Sequence, residues 1–145
     1  MATWFWFGVA AAVLYGLHQV FTKLASPHID SATGALVVES TAALSVVLYL
    51  AYLKFNGRLT VEGSKAGVLY SVATGLCVGA GTVLFFVLFQ KGGPLSAVPV
   101  ILAGGAAIMA AVGVTVLHEP FYWQRLLGVA LALAAMYLLH YAPKT

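Results

Sequence analysis

Charge is what this sequence has least of. Asp, Glu, Lys and Arg make up 8% of its 145 residues, against roughly a quarter in a soluble domain. So little charge cannot cover a water-facing surface, and 62% of the chain is hydrophobic with a mean hydropathy of +0.99. Lipid is therefore the expected solvent, and the expected class is an integral membrane protein: one domain, 1–145, with no room for a soluble module. The single cysteine, Cys77, excludes an intramolecular disulfide. A net charge of +3, scattered along the chain, is too small for a nucleic-acid surface, so no nucleic-acid partner is expected. The first residues, Met1 to Phe7, lack the basic segment of a signal peptide and read as the start of a retained helix.

Enzyme motifs are missing as well. The histidines, His18, His28, His118 and His140, do not stand at metal-ligand spacing. There is no GxSxG, HExxH or Walker A pattern. The Gly-rich stretches follow apolar helices rather than strands, so they are not phosphate cradles. The expectation is no enzyme, no metal and no cofactor.

What the sequence does have is long apolar runs. A bilayer core about 30 Å thick needs ~20 apolar residues in a helix. Five segments qualify, at about 4–25, 32–54, 66–90, 95–117 and 122–142, so the predicted fold is all-α and polytopic. These runs are too long, and alternate too little, for β-barrel strands. Short polar connections separate them and hold most of the ionisable residues. Aromatics gather near the ends (Trp4, Trp6, Tyr49, Tyr52, Tyr122, Trp123, Tyr137, Tyr141), as an interfacial belt requires. Glycine and alanine are frequent inside the runs, for example Gly75 and Gly79, Gly104 and Gly105, and Gly128 with Ala132. Such positions let backbones approach closely in lipid.

Five spans put the termini on opposite sides. Lys54, Arg58, Lys65 and Arg125 then face the N-terminal side, and Lys23, Lys91 and Lys144 the other. Four against three hardly sets an orientation under the positive-inside rule. Either the orientation is weakly set or the chain inserts both ways up.

Glu39 is the most informative residue. It stands about seven positions into the second segment, ~10 Å deep at 1.5 Å per residue. A carboxylate at a helix centre in lipid costs roughly 2.5–3.5 kcal/mol even on insertion scales, so it should face a partner or a wet cavity. Three readings stay open: a structural ion pair with Lys23, a direct role in binding a cation or a proton, and a position at headgroup level. The first segment carries a polar stripe, Tyr15, Gln19 and Lys23, with His18 and Thr22 beside it. Its cost in lipid predicts that it faces inward. Tyr70, Ser71, Thr74 and Thr82 can bond within their own helix and carry little information alone. Pro94 suits a first helical turn. Pro99, inside the predicted fourth helix, is expected to remove an internal hydrogen bond and break or kink the helix, either as a transporter device or as a packing kink.

Tyr15 through Lys23, Phe89-Gln90-Lys91-Gly92, Pro99, and Leu117-His118-Glu119-Pro120 followed by Gly128 together resemble the EamA-like repeat of the drug/metabolite transporter superfamily. The match runs over about 4–141, and the junction of helices four and five is its most specific part. In two places the sequence departs from the pattern. His118 replaces the usual Gly before Glu119, and Glu39 stands where many relatives carry a basic residue. The resemblance implies one five-helix repeat where most members have two inverted ones, so an antiparallel homodimer would restore the pseudo-symmetry. The small multidrug resistance proteins look like a precedent. This chain, with a fifth helix and its Glu on helix two, is not one of them.

The expectation is a secondary transporter of the cell inner membrane. It moves small metabolites or cationic amphiphiles by alternating access, with Glu39, His18, Gln19 and Tyr15 lining the cavity and Lys23 as the charge partner of Glu39. The alternatives are a non-transporting membrane subunit or assembly partner, and a flippase for lipid-linked substrates. Labelling single cysteines at positions 57 and 92 from both sides discriminates the first two.

Overall fold

A computed structural model describes residues 3–120 and 122–140, without the side chains at 125, 132, 136, 139 and 140. The predicted end of helix five at 142, with Tyr141 and Lys144, lies outside the described residues. The described chain is helical, with no strand among its described residues: α1 (Thr3–Ala25), α2 (Ser31–Phe55), α3 (Lys65–Gln90), α4 (Val98–Thr115) and α5 (Trp123–His140). Among the described residues four stretches are long and apolar enough to cross a membrane: α1, α2, α3 and Leu95–Thr115. In α5 the apolar stretch is shorter, Leu126–Ala135.

Local chemistry explains most of the boundaries. Pro27 cannot continue α1 and restricts the residue before it. Asp30 caps α2, its carboxylate accepting from the amides of Ala32 (3.1 Å) and Thr33 (2.9 Å). The Thr33 hydroxyl first, and then these two amides, hold the Asp30 carboxyl below its usual range. Ser64 caps α3 through the Gly67 amide at 3.0 Å. Both α2 and α3 end in Schellman motifs. At α2, Arg58 N–H donates to Leu53 O and Gly57 N–H to Lys54 O, with Gly57 at φ +64°. At α3, Gly93 donates to Leu88 and Gly92 to Phe89, with Gly92 at φ +86°. Glycine is needed at 57 and 92 because a Cβ strains the left-handed region.

The fourth helix departs from expectation in one respect. Leu95–Ala97 forms a 3-10 turn, and α4 starts only at Val98. Pro99 therefore occupies the first turn of α4, where its missing N–H is no loss. The break predicted there is corrected to a helix start.

The chain divides into two compact units, 1–93 and 94–145. In the first, α2 packs along α3 and α1 touches α3. Gly34 makes the α2–α3 approach possible: a Cβ there would lie 2.6 Å from the ring of Phe86, a fully buried side chain. In lipid this close packing, rather than transfer from water, drives helix association. In the second unit α4 and α5 form a hairpin. Its corner is His118, at φ +53°, after which Glu119 N–H returns to Gly113 O at 2.9 Å.

Candidate functional site

The first unit is tied together at one end. Lys23 Nζ, at the end of α1, donates to Gly93 O at 3.0 Å and lies 5.2 Å from the centre of the Phe89 ring. Gln90 Nε2 donates to Ile29 O at 2.9 Å and Ser26 O at 3.3 Å, joining the α1–α2 connection to the end of α3. Below this clasp lie the buried residues Ala35, Phe86 and Phe89. Deeper still, the Thr82 hydroxyl of α3 donates to Glu39 Oε1 of α2 at 2.6 Å.

That contact marks a boundary. Past it, every residue of α1 from 3 to 17, of α2 from 40 to 50 and of α3 from 65 to 78 is exposed. The three helices are therefore joined at the Lys23 end and uncovered at the other, with Glu39 half-buried where the packing stops. Glu39 lies about 12 Å along the helix axis from Ser31, a depth at which a carboxylate needs a polar neighbour. Thr82, 4% exposed, provides one.

Lys23 and Glu39 are not brought together: Lys23 is engaged by Gly93 and Phe89, and Glu39 by Thr82. The stripe on α1 is brought inward over its last two turns. Gln19 and Thr22 are buried, while His18 and Lys23 are half-buried. Tyr15 is 64% exposed and is not gathered with them. His18 Nδ1 and Gln19 Oε1 are buried with no hydrogen-bond partner among the described residues. An orphaned buried polar atom costs about 1–3 kcal/mol, so these atoms mark a place where water or a ligand would be welcome. Thr22 is satisfied by His18 O at 2.8 Å.

Thr82 is the partner of Glu39 that sequence reasoning passes over, because a helical threonine commonly bonds its own backbone, and the Thr82 hydroxyl also lies 3.0 Å from Val78 O. One signal does point to it. Glu39 and Thr82 are almost equidistant in sequence from Thr60, the middle of the α2–α3 connection, so an antiparallel hairpin sets them opposite each other.

Among the described residues no three of His, Cys, Asp and Glu come together as metal ligands. The α4–α5 hairpin holds a separate apolar cavity of about 290 Å³, lined by Ala107, Ala111, Leu126 and Val129 with Glu119 and Tyr122. His118 stands in the left-handed conformation, at φ +53°, which favours glycine over a residue with a Cβ.

A scan against protein-family models found no match, and comparisons with curated proteins and with solved structures found none either.

Proposed function

We propose that this chain is a secondary transporter subunit, one EamA-like five-helix repeat of the inner membrane, that moves small metabolites or cationic amphiphiles by alternating access. The observation that carries this reading is the Glu39 carboxylate. It sits deep in an apolar helix, bonded to a hydroxyl rather than to a cation, where a joined set of helices becomes uncovered. An ionisable group in that setting belongs by default to a substrate or ion pathway. The orphaned Gln19 and His18 atoms lie on the helix next to the same α3, and they support a polar cavity on that side.

Five spans and an antiparallel homodimer complete the reading. The near-even division of Lys and Arg suits insertion in both orientations. The exposed halves of α1 and α3 offer the surface a second copy would cover. The test is uptake into proteoliposomes of a panel of amines, zwitterionic metabolites and lipophilic cations under an imposed proton gradient. Glu39→Gln is expected to abolish the proton-dependent component. Unchanged proton-driven uptake in that variant removes Glu39 from the mechanism.

A further inference from the structure

Thr82 Oγ1 stands within hydrogen-bond distance of two acceptors, Glu39 Oε1 at 2.6 Å and Val78 O at 3.0 Å. A hydroxyl has one proton to give and lone pairs with which to accept, so it cannot donate to both at once. The hydroxyl can therefore serve the carboxyl group in either of two ways. With Glu39 ionised, Thr82 donates to the carboxylate. With Glu39 protonated, the carboxyl O–H donates to Thr82 Oγ1, whose own proton turns to Val78 O. Both states keep the bond between Thr82 and Glu39, and they differ by one proton on Glu39 and a rotation of one hydroxyl hydrogen.

We propose that Thr82 is a positioning residue that makes Glu39 a reversible proton site, satisfying the carboxyl group in its charged and neutral forms without movement of either helix. The proposal rests on the transport reading above and names the ion that its carboxylate exchanges. The balance is simple. One proton enters from water on to Glu39, the charge there goes from −1 to 0, and no other bond is made or broken.

Other titratable groups on the neighbouring helices do not replace Thr82 in this role. They are Tyr15, His18 and Lys23 on α1 and Lys65, Tyr70 and Cys77 on α3, and none of them bonds to the Glu39 carboxylate, while Lys23 is held at Gly93 and Phe89. Thr82 is buried, so water does not compete freely for its hydroxyl. The position also explains why the residue is a threonine: valine would fill the same space but could neither donate nor accept.

The test is an infrared titration of the full chain in lipid nanodiscs, following the carbonyl stretch of the protonated carboxyl group that Glu39→Gln removes. A hydrogen bond to the ionised form is roughly twice as strong as one between neutral groups. Thr82→Val is therefore expected to raise the midpoint of that band by about one pH unit, a tenfold gain in proton affinity, and to shift its frequency. Thr82→Ser is expected to restore both. If Thr82→Val does not fold, Thr82→Ala removes the same hydroxyl. An unchanged midpoint and frequency in the hydroxyl-free variant, an equal shift in Thr82→Ser, or no titrating Glu39 band in the wild type would each overturn the proposal. The transport reading fails separately, through proton-driven uptake that survives Glu39→Gln while the titration behaves as expected.

Discussion

Lys23 and Glu39, residues of opposite charge type on consecutive helices of the first unit, do not pair. The ammonium group is held by Gly93 O and the Phe89 ring, and the carboxylate by the Thr82 hydroxyl. The cation closes one end of the helix group, while the anion stands where the packing stops. Their separation leaves Glu39 bonded to a hydroxyl rather than to the Lys23 ammonium group.

That separation is measurable. In a double-mutant cycle of Lys23→Met and Glu39→Gln, followed by reversible unfolding in detergent, the two effects are expected to add within about 0.5 kcal/mol. A coupling of several kcal/mol, the size expected when one partner of a buried ion pair is removed, would restore the pair that the sequence suggests.

Gly34→Ala is expected to destabilise the first unit by about 1–3 kcal/mol, the usual cost of overpacking. The added methyl group meets the end of the Phe86 ring, which is itself fully buried and has nowhere to go. Gly8→Ala is the control, since a Cβ added there would meet nothing within 4 Å. Equal melting temperatures for the two variants in the same detergent would show that α2 and α3 approach each other less closely at Gly34.

His118→Gly is expected to raise stability by about 1 kcal/mol, because the left-handed conformation costs an L-residue roughly 1–2 kcal/mol and glycine almost nothing beyond its entropy. His118→Val should lower it. Thermal unfolding of the three proteins side by side tests the sign.

Dual orientation is best probed beside positions 57 and 92 rather than at them. Both are glycines at positive φ, where cysteine would strain the two helix ends. Asn56→Cys and Lys91→Cys, made in a Cys77→Ser background because Cys77 is exposed, are expected to be labelled by impermeant reagents from both sides of the membrane. Labelling of each from one side alone would favour a single orientation and weaken the antiparallel dimer.

The Asp30 cap gives a pH dependence with a definite sign. Its carboxyl is held below the ordinary value of 3.8 in the folded chain, by the Thr33 hydroxyl first and then by the Thr33 and Ala32 amides. The stabilisation is therefore fully present above that value, and it is lost as the pH falls through the lowered folded value. Asp30→Ala should lower the melting temperature at neutral pH and flatten its acid limb, and Asp30→Asn should retain the cap while removing the pH dependence. Parallel melts across the acid range check both.

The sequence by itself determined the features that depend on near neighbours. Apolar runs long enough to span lipid are counted residue by residue, and helix ends follow from residues at fixed short offsets: Pro27, the Asp30 and Ser64 caps, Gly57 and Gly92. The depth of Glu39 followed from the same counting. Tertiary structure decided what depends on register between distant segments. It put Thr82 rather than Lys23 against Glu39, sent Lys23 to Gly93, and set Phe86 against Gly34. The late start of α4, which makes Pro99 a first-turn residue, was likewise invisible in an unbroken apolar run. The physical reason is that a side chain's cost in lipid says only that it must find a partner. Which partner it finds is settled by how closely the backbones can pass.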